Sequence, residues 1–392
     1  FNRSNFADYT LGLTAFIYMA GYITLKGALA GGPILICALL LLVYQFIKPT
    51  NRKLDKHDYA WIYALVAFGS WGVFTVWYHG AGVHLYEEPV KFIIAGIVAV
   101  AILRQGINLN WIKLALIVGT IGLAGLAIYS YEGGRFSPLM NATKFGNAIA
   151  FQAALALALS FAEKSTLQKG ALTLAFAINA YLTVLTGTRG AMLGLAAATL
   201  VMFALQIPKT DWKTKIVIVI VLIIGGTFIS KSTIFQQRLN STISEASRIL
   251  DGNFRGSIGF RLVMAEGGIQ AGLRHPVAGQ GYNYSQIFED YHSDSDNKLE
   301  QAKTIGKNFN NFHNVYVDTL AKRGFIGLAL LLLVFVVAVA PRDRDLKNFF
   351  VTLSPVLTIA IAGMSDSVFE LGITTSYFVL ATTILKASVE RT

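Results

Sequence analysis

The sequence predicts an all-α polytopic membrane protein, and three observations carry that prediction. Hydrophobic residues make up 54% of the 392-residue chain and charged residues only 14%, whereas a soluble domain carries roughly 25% charged residues. The mean hydropathy is +0.54. The charges sit in short clusters between long apolar stretches, several of them near the roughly 20 residues needed to cross a bilayer. The same composition excludes collagen, coiled coil, disordered tail and disulfide-stapled secreted domain. The single cysteine, Cys37, lies in an apolar run with no thiol partner for a disulfide or a metal.

Apolar runs bounded by charges, Gly, Pro, Asn or Asp give the elements in order. They are about twelve spans: 6–23 and 32–47, which are short and interrupted by glycine, then 59–78, 89–103, 110–130, 145–161, 168–186, 190–206, 214–230, 314–340, 347–364 and 370–386. The strongest are Trp111 to Tyr131, Ile216 to Ile229 and Gly324 to Ala340. Only one connection is long, residues 231–312, with mixed charge and short helical patterns. The chain therefore divides into residues 1–230 with nine spans, a large and mostly helical outer loop at 231–312, and residues 313–392 with three more.

Positive residues orient the bundle. The chain holds 33 Lys and Arg against 22 Asp and Glu. In a membrane protein such an excess belongs to cytoplasmic loops and points to no nucleic-acid partner. With the N-terminus inside, the short inner segments hold seventeen Lys and Arg, and the short outer segments hold only Lys26, Lys91, Arg135, Lys144 and Arg189. Both termini are thus expected in the cytoplasm and 231–312 outside. A cation kept outside against that bias is a functional candidate.

Three features converge on the outer face. Thr186-Gly187-Thr188-Arg189-Gly190 is a tight turn between two spans, with glycines that let the chain reverse and leave Arg189 at the mouth of the bundle. In the long loop, 260–272 reads as a short helix ended by Gly272 and His275-Pro276, with Arg261 in its first turn, where the helix dipole disfavours a cation. Finally, Phe312-His313-Asn314-Val315-Tyr316 opens the tenth span; on a helix His313, Val317, Leu320 and Gly324 share one face, which puts an imidazole at the water boundary above an apolar stripe. Asp366, in the outer turn Met364 to Ser367, is placed to orient His313 or an acceptor; the same position would also suit a helix cap.

The His313-Asn314 pair followed by Gly324, Gly327 and Leu328 at the end of a large outer loop resembles the O-antigen ligase and polymerase superfamily of bacterial envelopes. The Arg261 segment with Pro276, Gly279 and Gly281, and the Thr-Gly-Thr-Arg-Gly turn, resemble the same family, the turn its ligases in particular. The resemblance covers about 180–330 and implies a GT-C-like membrane glycosyltransferase. Its donor would be an undecaprenyl-diphosphate-linked O-antigen and its acceptor lipid A-core, among membrane lipids, on the periplasmic face of the bacterial inner membrane.

The residue types suit that chemistry. A glycosyl diphosphate carries its own activation, and its leaving group gains negative charge that arginines bind bidentately; Arg189 and Arg261 are the candidates. An acceptor hydroxyl needs a base that titrates near neutrality, and His313 is the candidate, with Asn314, Tyr316 and Asp366 in support. No metal-ligand cluster is singled out on the outer face, and the reaction is expected to need no metal or other cofactor and to invert the anomeric centre. The alternatives are a polymerase that joins lipid-linked repeat units and, from a different class, a lipid-linked glycan transporter.

Overall fold

A computed structural model describes residues 53–106, 108–138, 141–206, 230–340, 346–369 and 372–388, together with 212, 226 and 227. The expected spans at 6–23 and 32–47, and nearly all of 214–230, lie outside the described residues, as does Cys37. Among the described residues the fold is entirely helical: α1 (Lys56–Tyr78), a 3-10 turn (Val83–Tyr86), α2 (Glu87–Gln105), α3 (Leu109–Ser130), α4 (Ala142–Ala162), α5 (Thr166–Leu185) and α6 (Arg189–Gln206). There follow α7 (Thr233–Leu250), α8 (Ser257–Arg274), α9 (Tyr284–Glu289), α10 (Asp296–Asn308), α11 (Val315–Val339), α12 (Leu346–Ala362) and α13 (Gly372–Ser388). Five of these, α1, α3, α4, α6 and α11, are long and apolar enough to cross a membrane.

The helix starts are written in the sequence. Asp55 accepts from the His57 and Asp58 amides while Asp58 returns a bond to the Asp55 amide, a capping box that opens α1. Asn108, Asn141 and Asn314 cap α3, α4 and α11 through their side-chain oxygens alone, each accepting from one or two amides of the first turn. Gly106, with φ +68°, closes α2.

α4 is the centre of the bundle, buried along almost its whole length and rich in alanine. Lipid supplies no hydrophobic drive between helices, so small residues that let backbones approach do the packing. On α6, Gly194 lies against the Thr358 carbonyl and Gly190 against Ser365, seating α6 directly on α12 and the turn after it. The helix hairpins alternate in direction. One end of the bundle therefore gathers the C-terminal ends of α1, α3, α5 and α12 with the N-terminal ends of α2, α4, α6, α11 and α13. Contacts across that end include the His79 ring against the Ala278 carbonyl and the Arg135 side chain on the Thr186 carbonyl.

Helices α7 to α10 cover this end. They have a small core of their own, with Val263, Met264, Ile287, Phe288, Ile305 and Phe312 all buried. Two expectations need correction here. First, α8 does not stop at Gly272 but runs to Arg274. Gly267, Gly268 and Gly272 instead form a groove that receives Phe288, Phe312 with Val317, and Leu320. Second, α11 is broken at Gly324 (φ +67°, ψ −170°). The freed groups are satisfied by the His275 to Gly281 segment: Phe325 N donates to the Pro276 carbonyl (2.7 Å) and Gln280 N to the Ala321 carbonyl (2.8 Å). Pro276 and the Gly279/Gly281 pair thus dock the loop into a gap in a spanning helix.

Candidate functional site

At the covered end of the bundle, a small cavity collects four arginines from four separate segments: Arg135 from the α3–α4 connection, Arg189 from α6, Arg238 from α7 and Arg261 from α8. Thr143, Gly190 and Ser257 also line it, so the first turns of α4, α6 and α8 all face it. Helix starts present free amides and the positive end of the dipole. The cavity is therefore positive through both its side chains and its backbone.

Each arginine is held in place. Gly187 (φ +61°) turns the chain between α5 and α6, and the Arg238 guanidinium packs over it, where a Cβ would lie 3.0 Å from its Nε. Arg135 clasps the same turn, donating from Nε to the Thr186 carbonyl (2.8 Å) and reaching Thr188 Oγ1 with Nη2 (3.4 Å). Arg189 reaches Glu245 Oε1 at 3.3 Å, and the other oxygen of Glu245 accepts the Ile258 amide (2.7 Å), tying α7 to the start of α8. Arg261 donates to Ser257 Oγ at 3.0 Å.

This still leaves the guanidiniums short of acceptors. Arg189 Nε and Nη1 and Arg261 Nε are buried without a hydrogen-bond partner. Such donors cost free energy when left unmade, so the cavity is built for an acceptor-rich anion. Electrostatics agree. Burial, and then the charges of Arg238, Arg261 and Arg189, lower the proton affinity of Arg135. Burial likewise lowers that of Arg261, with Arg189 and Arg238 adding to the effect while Asp366 and Glu245 oppose it. A polyanion would relieve this repulsion.

The imidazole of His313 stands beside this basin. His313 is not on a helical face, as the sequence had suggested; it precedes α11 in a left-handed conformation (φ +47°) and is the one non-glycine residue with positive φ among those described. Strain of this kind persists only where the surroundings enforce it. Here Asn311 Oδ1 accepts the His313 amide (3.1 Å), and Phe312, wedged against Tyr284, is fully buried. Asp318 accepts from the Phe312 amide (3.3 Å), from the Tyr284 hydroxyl (3.1 Å) and from Lys322 (2.9 Å).

His313 Nδ1 lies 3.8 Å from Asp366 Oδ1. That is ion-pair reach but beyond a hydrogen bond. Asp366 is buried, takes a hydrogen bond on its other oxygen from Asn147 Nδ2 (2.8 Å), and acts electrostatically on Arg261. One carboxylate therefore connects the imidazole with the arginine basin.

Of the residues singled out in the sequence, Arg189, Arg261, His313 and Asp366 come together. Asn314 joins them by stitching: its Oδ1 caps α11 and its Nδ2 donates to the Met364 carbonyl (3.0 Å), holding the turn that carries Asp366. Tyr316 points away, its hydroxyl donating to the Ala360 carbonyl (2.7 Å), and belongs to the α11–α12 packing. Arg135, Arg238 and Asn147 were missed. Arg135 had been legible as an outer cation standing against the charge bias; Arg238 and Asn147 carry no local signal.

Fold and site together define a multi-pass membrane protein with an arginine-lined basin next to a His–Asp pair. The model of the family described as O-Antigen ligase matches residues 174–332. The match takes in Arg189, Arg238, Arg261 and His313; Arg135, Asn147 and Asp366 lie outside it. An uncharacterized protein of Haemophilus influenzae is 28% identical over 155 residues, covering 39% of this chain and 38% of that relative.

Proposed function

We propose that this protein is an O-antigen ligase that transfers O-antigen polysaccharide from undecaprenyl diphosphate to lipid A-core on the periplasmic face of the inner membrane. The observation that carries the reading is the convergence of four arginines, two of them with buried unpartnered guanidinium nitrogens, on a cavity beside the His313–Asp366 pair.

In this reading the arginines receive the diphosphate. The acceptor hydroxyl oxygen bonds to the anomeric carbon as the bond from that carbon to the phosphate oxygen breaks. The electron pair leaves on undecaprenyl diphosphate, and the hydroxyl proton passes to His313. Attack from the face opposite the leaving group inverts the anomeric centre. Nδ1 of His313 faces Asp366, so Nε2 is the nitrogen that takes the proton, and Asp366 stabilises the imidazolium that forms. Fixed guanidiniums meet the charge that grows on the diphosphate, each such interaction contributing about 3–4 kcal/mol to the transition state in a water-poor site. The reading assigns that role to arginines and calls for no metal.

The placement of cations supports the membrane orientation. Lys56, Arg104, Lys113, Lys164, Lys169 and Lys386 lie at the end of the bundle opposite the basin, which is the end the charge bias assigns to the cytoplasm. The test is the surface lipopolysaccharide of a strain lacking the protein. Loss of all O-chain with lipid-linked polymer intact supports a ligase. A single repeat unit remaining on the core makes the protein a polymerase instead, and an unchanged ladder overturns both.

A further inference from the structure

A second cleft, of about 630 Å³, opens at the same end of the bundle. One wall is the C-terminal end of α1, where Trp71, Phe74, Tyr78 and His79 line it; the other is the segment from Arg274 to Gln280 with Gln286 of α9. It is separate from the arginine basin. Arg261 lies near the start of α8 and Arg274 is its last residue, a separation of about 20 Å by helical rise.

The two walls differ in chemistry. On α1 the rings form a ladder: Phe74 lies 5.1 Å from Trp71 and stacks on Tyr78 at 5.8 Å and 24°. Phe74 and Tyr78 are 39% and 61% exposed. The facing wall sets flat polar groups, Arg274, Gln280 and Gln286, around the apolar Pro276, Val277 and Ala278. The Arg274 guanidinium is braced by Gln270 Oε1 (3.1 Å) and the His292 ring (3.2 Å). The Gln280 amide is braced by Asp290 (2.8 Å). The floor is fixed by the His79 ring on the Ala278 carbonyl (3.1 Å), by Trp71 Nε1 donating to the Arg323 carbonyl (2.9 Å) and by the Thr75–Tyr282 hydroxyl contact (3.2 Å). The cleft is thus preformed.

We infer that this cleft is a saccharide-binding subsite. A pyranose presents a flat C–H face and a rim of hydroxyls, which match an exposed ring ladder opposite amide and guanidinium groups. An acyl chain would offer no hydrogen-bond partner to the Arg274, Gln280 and Gln286 groups of the facing wall. A phosphate headgroup would call for converging cations with unmade bonds, which the arginine basin supplies and this cleft does not. α1 is a candidate span, and Trp77 and Tyr78 at its end are exposed aromatics of the kind that mark a membrane boundary. A saccharide bound here lies at that boundary, where an acceptor anchored by its own lipid keeps its sugars. The cleft is therefore assigned to the acceptor oligosaccharide, and this role rests on the function proposed above.

The test is transfer by the purified full chain with donor and acceptor extracted from its own host. Tyr78→Ala and Gln286→Ala are each expected to raise the acceptor KM by about 10-fold, with kcat and donor KM unchanged. An unchanged acceptor KM in both variants, a rise in donor KM instead, or competition by phosphatidylglycerol vesicles overturns the assignment. If wild-type protein transfers glycan, Arg261→Lys does not, and Tyr78→Ala behaves as wild type, the subsite fails while the proposed function stands. If the wild type transfers nothing, the function fails and the cleft is judged by equilibrium dialysis of the delipidated, dephosphorylated acceptor oligosaccharide. Binding that Tyr78→Ala weakens about 10-fold then supports the subsite, and no binding to the wild type overturns it.

Discussion

Gly146 is the position where a single methyl group tests whether the geometry of the arginine basin matters. It sits on α4 beneath the turn that leads to Arg189. A Cβ there would lie 2.6 Å from Thr186 Oγ1, 2.7 Å from Thr188 Oγ1 and 2.8 Å from Thr188 Cβ. Ordinary contact begins at 3.4 Å, so the turn must move by about 0.8 Å (3.4 − 2.6), since α4 is packed on all sides and cannot yield. Overpacking of this size costs about 1–3 kcal/mol of stability. The larger effect falls on the site. Arg135 is bonded to that turn through Thr186 and Thr188, Arg189 follows it directly, and Asn147, next to Gly146, holds Asp366. A misplacement near 1 Å can cost on the order of 10²-fold in rate. Gly146→Ala is therefore expected to remain largely folded in detergent yet lose about 100-fold in glycan transfer, measured on purified protein normalised to its monodisperse fraction. Gly125→Ala on α3, where a Cβ meets nothing within 4 Å, serves as the control and should be as active as wild type and slightly more stable. Transfer by Gly146→Ala that falls only in proportion to its folded fraction would refute the claim that the turn geometry sets the rate.

Three further outcomes follow from the structure. His313→Ala should lose on the order of 10²–10⁴-fold in turnover and His313→Gln nearly as much; a Gln variant that retains most activity would make His313 a hydrogen-bonding group rather than the base. Because burial, and after it the charges of neighbouring arginines, lower the proton affinity of Arg135 and Arg261, the folded state carries a cost for their charges that an anion relieves and the loss of one cation reduces. Inorganic pyrophosphate should thus stabilise the folded state in low salt, by about 2.7 kcal/mol at 100 times its Kd, read as a higher melting temperature, and Arg238→Gln should melt no lower than wild type without pyrophosphate but gain less with it; equal gains in the two proteins would contradict the basin. Finally, the Arg323 guanidinium, 3% exposed, pairs with Glu88 at 2.9 Å, so Glu88→Gln should cost about 3–5 kcal/mol by leaving a buried charge unmatched, read as a lower midpoint in thermal unfolding; an unchanged midpoint would mean that the pair is not structurally important.

How much of this was legible in the sequence depended on distance along the chain. The caps at Asp55, Asn108, Asn141 and Asn314 act within three residues and so carry a local signal, although the expected spans rested on apolar runs rather than on caps. Arg189 stood out because it resists the charge bias of the membrane and sits in a glycine-flanked turn; Arg135 resists the same bias, but nothing else in its segment marked it as part of a site. Arg238 looked like any other cation of a polar amphipathic helix, and only the packing of α7 against the Gly187 turn brings it to the basin. Asn147 is more than two hundred residues from Asp366, and nothing local marks it. The helical reading of His313 failed because the periodicity of the apolar residues after it does not reveal a left-handed residue held by Asn311 and by the burial of Phe312. Gly324 was read as part of a stripe for the same reason: the Pro276 carbonyl that substitutes for the broken helical bond comes from a distant segment. The buried Arg323–Glu88 pair was likewise invisible, since the two residues lie on α11 and α2 and neither has a distinctive neighbour.

The central claim is that the basin arginines hold a diphosphate leaving group by bidentate bonds while His313 receives the acceptor proton. The most direct measurement is single-turnover transfer from undecaprenyl-diphosphate-linked glycan by purified wild type, Arg189→Lys and Arg261→Lys in lipid nanodiscs, with donor binding measured in parallel. Lysine keeps the charge but loses the guanidinium fork, so the account predicts that both variants fall by about 10²-fold or more in the chemical step. Transfer at the wild-type rate by both variants, with donor bound normally, would contradict it.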